Sequence, residues 1–247
     1  MSLAGKHAIV TGGVRGIGHA AAELLARQGA RVSVVSRSVA PAEVEPFFAA
    51  QADVTDEEQI HRAFDACRKV NGPIAILVNS SGVAESARVT RTPRAMWDRI
   101  VATNLTGTFL CTREALQDMM AAGWGRIVNV ASTAGLVGAP YIAAYCASKH
   151  GVVGFTRAVA AEYAATEITI NAVCPGYTES DMLCRAIANI AEKTGRTEAA
   201  ARELLANGNP EGRIATTQEV ADAILELIND SRTGLAVVIP TAKTVSS

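Results

Sequence analysis

A chain of 247 residues with a formal net charge of −1 is long enough to bury a sizeable core and offers no broad electrostatic attraction to nucleic acid or an anionic membrane. Hydrophobic residues make up 49% but aromatics only 4%, with 20 glycines, a balance that suits short strands packed closely against helices and points to small-molecule partners. Cys67, Cys111, Cys146, Cys174 and Cys184 are odd in number and contain no C-x-x-C, so neither a disulfide framework nor a metal site is suggested; with no signal-peptide core and no apolar run long enough to span a bilayer, a soluble cytoplasmic protein is expected.

In chain order, HAIVT (7–11) reads as a strand, a glycine-rich turn follows, and Ile17, Ala21, Leu24 and Leu25 recur on one face of a helix over 16–28. RVSVVS (31–36) is the second strand. Pro41 and Pro46 limit any helix in the next segment to a turn or two, and a weaker strand follows over 48–54. Then come a helix over 56–70, a strand over 74–80, a helix over 96–121 broken near Leu105, a strand over 126–132, a helix over 144–164 and a strand over 168–174. The segment 175–213 inserts two helices without a strand, before a helix over 218–229 and a strand over 235–240. Strands alternating with longer helical patterns predict one doubly wound, Rossmann-type α/β domain, 1–247, with a seven-stranded mainly parallel sheet and helices on both faces. The insertion, about 177–212, is expected to act as a substrate lid, with Leu183, Ile187 and Ile190 in one stripe and Thr197 capping a second helix that ends at Gly208. The same stripe is also what a helix packed on its own domain or a neighbouring subunit would carry.

Two stretches hold chemistry. TGGVRGIG (11–18) joins the first strand to the first helix; Gly12, Gly16 and Gly18 let the backbone approach a pyrophosphate whose charge meets the free N–H groups of the helix start, although a merely tight turn has the same look. YCASKH (145–150) places Tyr145 and Lys149 on one helical face, where the ammonium lowers the acidity constant of the phenol and makes it a usable proton donor; an exposed helix turn is the alternative.

Taken with NSSG (79–82), NLTGTF, NVAS and PGYTES, in this order over nearly the whole chain, these stretches resemble the short-chain dehydrogenase/reductase family. The resemblance implies that Tyr145 exchanges a proton with the substrate oxygen, Lys149 tunes it and binds the nicotinamide ribose, Ser132 hydrogen-bonds the carbonyl oxygen, and Asn104 holds a water for proton resupply. Taken singly, Ser132 reads as a helix cap and Asn104 as a helix kink. It further implies a cofactor cleft formed by Gly12, Arg15, Gly16, Ile17, Gly18, Ser36, Arg37, Asp53, Val54, Asn79, Ser81, Gly82, Tyr145, Lys149, Pro175, Gly176, Thr178 and Ser180. The second strand ends Ser36-Arg37 with no acid to bind a ribose 2′-OH, so Arg37, with Arg15, is expected to favour NADP over NAD, unless both are simply solvated.

Departures from the family pattern are Ser81 for alanine, Ser180 for threonine, Thr178 for an aliphatic residue, and VVIPTAK in place of a double glycine. The stretches are most similar to those of ketoreductases acting on β-keto thioesters, carried by CoA or an acyl carrier whose phosphates would meet Arg185, Lys193, Arg196 and Arg202. A ketoreductase of aromatic polyketide synthesis or a general small-ketone reductase is the alternative. An NADP-binding sensor or scaffold without turnover would be expected to lack Tyr145 or Lys149, and both are present. The resemblance also implies a homo-oligomer, dimer or tetramer, formed through the helices after the fourth and fifth strands.

Overall fold

The computed structural model describes residues 2–38 and 45–239 and the backbone of Lys243–Thr244; Pro41 and residues 240–242, within the stretch without a double glycine, lie outside them. The elements are β1 (His7–Thr11), α1 (Gly16–Arg27), β2 (Arg31–Ser36), β3 (Phe48–Gln51), α2 (Glu57–Asn71), β4 (Ile74–Asn79), α3 (Arg94–Val101), α4 (Gly107–Ala122), β5 (Gly125–Val130), α5 (Ala143–Glu162), β6 (Ile168–Pro175), α6 (Asp181–Thr194), α7 (Glu198–Asn207), α8 (Thr217–Asn229), β7 (Ala236–Ile239) and β8 (Lys243–Thr244). They form one sheet in the order β3-β2-β1-β4-β5-β6-β7-β8, parallel except for β8. The expected seven strands are all present, and the short antiparallel β8 is an addition. β1 and β2 end where expected and β6 runs one residue further, to Pro175, whereas β3, β4 and β5 end three, one and two residues early, because the last residues of those runs leave the sheet to build loops at its carboxyl edge.

Alternation along β1 explains the two layers. Ala8 and Val10 join Leu24, Leu25, Ile224 and Ile228 of α1 and α8 on one face. Ile9 joins Phe64, Leu116 and Ile170 on the other, under α2 and α4. Strand order reverses beside β1, whose neighbours are β2 and β4, so the connections leave in opposite directions and open a crevice above Thr11 and Asn79.

The helix expected to break near Leu105 does not break. A π-helical turn at Ala102–Thr106 links α3 to α4, widening the helix by one residue around Asn104.

At the opposite edge, His7 is 1% exposed, with Nδ1 2.7 Å from the Gly72 carbonyl and Nε2 2.8 Å from Ser33 Oγ. Burial pushes its pKa down to about 4 from 6.5. The folded chain therefore resists a proton that the unfolded chain accepts. This contribution is complete above pH 6.5 and declines as pH falls through 4, by up to about 3 kcal/mol. Urea unfolding from pH 7 to 4 should show that acid loss, and His7→Asn, which keeps a donor toward Gly72, should flatten it. An unchanged acid limb in the variant would place the loss elsewhere.

Candidate active site

The turn after β1 is drawn close to the end of β4. Thr11 Oγ1 accepts hydrogen bonds from the Ser80 and Ser81 backbone N–H groups at 3.1 and 3.2 Å. Gly12, at φ +66°, lies so near this loop that an added Cβ would stand 3.1 Å from Ser80 O and Ser81 N, which is why a side chain is excluded there. Gly16 and Ile17 open α1, and Gly18 is buried in its first turn. That turn has neither a side-chain cap nor an acidic residue, so its N–H groups stand free to meet an anion. A pyrophosphate fits this cradle.

Around it the expected cofactor residues divide. Gly82 lies against the Asn104 side chain and the Lys149 ammonium. Val54 is buried against Gly107. Ser36 ends β2 and Arg37 is exposed beyond it. Asp53 uses Oδ1 to accept from the Thr55 N–H and hydroxyl at 2.9 and 2.8 Å, which fixes the turn after β3.

Three of the expected cofactor residues have side chains engaged with the protein. Asn79 Nδ2 donates inward to Thr112 Oγ1 and Asn129 Oδ1, at 3.0 and 2.9 Å, tying β4 to α4 and β5. Arg15 pairs with Asp181 of α6, 3.2 Å away, both side chains being exposed. Ser180 spends its hydroxyl on structure, donating to Thr178 O at 3.0 Å and accepting from Leu183 N–H at 3.2 Å as the cap of α6.

The catalytic candidates do converge. Ser132 is 8% exposed just beyond β5, and its Oγ accepts from Ala134 N–H at 3.1 Å. It is therefore a cap, as its sequence alone allows, but one whose hydroxyl proton remains available. The following turn reaches Gly135, where an added Cβ would lie 2.6 Å from the Lys149 carbonyl, so this glycine lets the turn press against α5. One helical turn apart on α5, Lys149 Nζ is 5.8 Å from the Tyr145 ring centre and donates to Val130 O at 2.7 Å. Tyr145 is half-buried among Met96, Ile100 and Ala144.

Burial pushes the Tyr145 phenol up to about 12, with the neighbouring Ser132 hydroxyl pulling it part of the way back. Burial pulls the Lys149 ammonium down to about 8. The expected lowering of the phenol by Lys149 is thus outweighed in these surroundings, because desolvation disfavours the charged form of both groups.

Asn104 is fully buried. Its side chain accepts from Val83 N–H at 2.8 Å and donates to Val83 O and Ser148 Oγ at 2.9 and 3.0 Å, and its main-chain carbonyl accepts from the Thr108 hydroxyl at 2.8 Å. Ser148, inside the YCASK stretch, is a residue that sequence reasoning missed; it donates to Tyr145 O at 2.8 Å and so links Asn104 to the tyrosine's turn.

The insertion departs most from expectation. Leu183 and Ile187 are 2 and 7% exposed and pack with Ala201 and Leu205 of α7, with Ile190 at the border, so the stripe forms a small core between α6 and α7. Arg202 pairs with Glu179 and is not free for a phosphate. Pro175 ends β6, and Gly176 and Thr178 follow it at the foot of the insertion. Asn209, also missed, joins the two ends there: its Oδ1 accepts from Tyr177 N–H at 2.6 Å, and its Nδ2 donates to Tyr177 O and Arg213 O at 2.8 and 2.6 Å. The N-P-E-G turn after it was the available signal. Asn189 of α6 meets Ser86, beyond β4, at 3.1 Å, so the insertion does touch the rim of the crevice.

Among the described residues no helix is long and apolar enough to cross a membrane. A family model described as short chain dehydrogenase matches residues 6–191. The chain is 40% identical over 228 residues to a D-beta-hydroxybutyrate dehydrogenase of Cupriavidus necator, covering 88% of each. It is 36% identical over 230 residues to a 3-oxoacyl-acyl-carrier-protein reductase of Vibrio cholerae, covering 91% of this chain and 90% of that protein. A crystal structure of an actinorhodin polyketide ketoreductase variant with NADPH is similar at a TM-score of 0.89 and 34% identity, covering 95% of each chain.

Proposed function

The chain belongs to the short chain dehydrogenase family, whose matching members are dehydrogenases and reductases of hydroxyl and keto groups, and from that premise we propose an NADP(H)-dependent ketoreductase that interconverts a β-keto and a 3-hydroxyacyl thioester, borne by CoA or an acyl carrier. The observation that carries this reading is the convergence of Ser132, Tyr145 and Lys149 where β5 ends and α5 begins. The relatives named for hydroxybutyrate and for 3-oxoacyl groups share a hydroxyl or ketone placed β to a carboxyl function, which supports the substrate class.

The nicotinamide coenzyme, when bound, supplies the hydride for the carbonyl carbon. The uncapped start of α1 receives its pyrophosphate, and Lys149, beside Gly82, binds its ribose hydroxyls. On the substrate side, the free Ser132 proton and the Tyr145 hydroxyl hold the carbonyl oxygen. With its pKa near 12, the phenol arrives protonated at neutral pH and gives its proton to that oxygen as negative charge develops. Lys149, its pKa drawn down to about 8 by burial, then returns a proton to the phenol, and the water that resupplies it is assigned to Asn104 on the family resemblance alone.

Cytoplasmic placement and a homo-oligomer, most simply a tetramer, belong to the same proposal. Phe109 and Met120 of α4 are 39 and 53% exposed, and Phe109 meets Phe155 of α5 edge-on, an apolar face suited to another copy.

The test is a panel of acetoacetyl-CoA, acetoacetate and simple ketones with NADPH and NADH, run on the wild type and Arg37→Ala. The thioester with NADPH should be preferred, and the variant should weaken NADPH binding more than NADH binding by about 1.5 to 3 kcal/mol. A preference for acetoacetate or a simple ketone would replace the thioester, and equal losses with the two cofactors would remove Arg37 as the discriminator.

A further inference from the structure

Asn104 is bonded to α5 through a single hydroxyl. Ser148 lies between Tyr145 and Lys149 on that helix, 1% exposed, and its Oγ donates to Tyr145 O at 2.8 Å while accepting from Asn104 Nδ2 at 3.0 Å. A helical serine that bonds back to an earlier carbonyl is common, and that bond satisfies only the serine itself. The second bond is the informative one, because it crosses from α5 to the π-helical turn, 44 positions away in sequence. Three residues further along α5, Gly151 leaves room for Leu105, whose side chain an added Cβ would meet at 2.7 Å. Residues three apart share a helix face, so one polar and one apolar contact together seat the π-helical turn on α5.

Asn104 passes the tie on to the loop after β4. Its Oδ1 accepts from Val83 N–H at 2.8 Å and its Nδ2 donates to Val83 O at 2.9 Å, so Val83 alone decides which way the amide points. What Ser148 adds is the attachment of that amide to α5. The residue before Val83 is Gly82, where an added Cβ would stand 3.4 Å from Asn104 Oδ1 and 3.7 Å from Lys149 Nζ. The ammonium therefore faces the loop across a gap whose two sides are joined through Asn104 and Ser148. Asn104, Ser148 and Lys149 are 0, 1 and 5% exposed. Without the Ser148 hydroxyl, one Nδ2 hydrogen of a fully buried amide has no acceptor, and the tie is broken where water cannot replace it.

We infer that Ser148 is a positioning residue: its hydroxyl holds the turn bearing Tyr145 and Lys149 at a fixed distance from the loop bearing Gly82, and so sets the gap that receives the nicotinamide ribose. The inference rests on the ketoreductase reading, which places that ribose at Lys149, and adds to it a residue that touches neither coenzyme nor substrate. Burial draws the Lys149 ammonium down to about 8. A wider gap admits water, which favours the charged form and raises that value. In the same reading reduction uses protonated Lys149 and falls as pH rises through its pKa, so a loosened gap moves the alkaline limb upward.

The test compares Ser148→Ala with Ser148→Thr, which keeps the hydroxyl, using acetoacetyl-CoA, acetoacetate and simple ketones at saturating NADPH. Ser148→Ala should lower kcat about 10- to 100-fold, leave KM for the ketone nearly unchanged and shift the alkaline limb of kcat upward from about pH 8. Ser148→Thr should recover both the rate and the limb. Asn104→Ala, alone and combined with Ser148→Ala, gives a second measure that does not depend on room for the threonine methyl: the double variant should lose no more rate than Asn104→Ala does. Losses that multiply would overturn the inference, as would kcat within about threefold of the wild type in Ser148→Ala. A lower melting temperature with an unmoved alkaline limb would make Ser148 purely structural and overturn it too. If the wild type reduces none of the compounds, the ketoreductase reading fails, and fluorescence titration of NADPH then reads the gap without turnover. Affinity about three- to tenfold weaker in Ser148→Ala would uphold the inference, and equal affinities, or no binding by either protein, would overturn it.

Discussion

Tyr145→Phe should lower the rate of ketone reduction by about 10²- to 10⁴-fold while leaving NADPH binding intact. The substitution keeps the ring among Met96, Ile100 and Ala144 and deletes only the hydroxyl, so packing and the cofactor cradle are spared. What disappears is the transferable proton. The variant retains its two neighbours, Ser132 just beyond β5 and Lys149 one turn along α5, 5.8 Å from the ring centre. Stopped-flow hydride transfer and NADPH fluorescence titration, made on the same preparation, separate the two effects. Turnover within tenfold of the wild type would assign the proton to another group, and a parallel loss of NADPH affinity would mean that the hydroxyl serves binding.

Ile187→Ala should lower stability by about 2 to 5 kcal/mol with little change in preference among substrates. Ile187 is 7% exposed between α6 and α7, in contact with the small core of Leu183, Ala201 and Leu205. Deleting its branch leaves a cavity that two short helices are poorly able to close. Differential scanning calorimetry should register the loss, or a separate early transition if the α6–α7 unit opens before the sheet. A selective rise in KM for bulky substrates, with an unchanged melting profile, would instead restore Ile187 to the substrate surface.

The α/β architecture was legible because β1, β2 and β5 are apolar runs bounded by turn residues and the intervening helices keep a regular apolar spacing. Tyr145 and Lys149 were legible for the same reason: helical periodicity alone puts them on one side of α5. The periodicity of Leu183, Ile187 and Ile190 was equally clear, but a stripe states that a face is covered without saying by what, and the cover is α7. Nor can charge type alone reveal a partner. Arg15 and Arg37 look alike in sequence, yet only folding brings Asp181 to Arg15. Asn79 shows the same limit, since its inward bonds to Thr112 and Asn129 join residues 33 and 50 positions away. The π-helical turn at Asn104 leaves no mark in composition because it is a matter of backbone pairing, and a suspected break in the pattern was its only trace.

The Asn209 contacts have an evolutionary consequence. With one side chain bonded to Tyr177 on both backbone atoms and to Arg213, the two ends of the excursion meet at a fixed point. Once the ends of a loop are held together, the entropic cost of lengthening it grows only logarithmically. The length of the chain between Tyr177 and Asn209 can therefore change with little strain transmitted to β6, provided that the core of Leu183, Ile187, Ala201 and Leu205 is kept, while Ser132 and Tyr145 stand just beyond β5 and on α5, outside the fastened segment. The molecule is in this sense modular: selection on which compound is admitted has a region to act on that is insulated from the geometry of proton transfer.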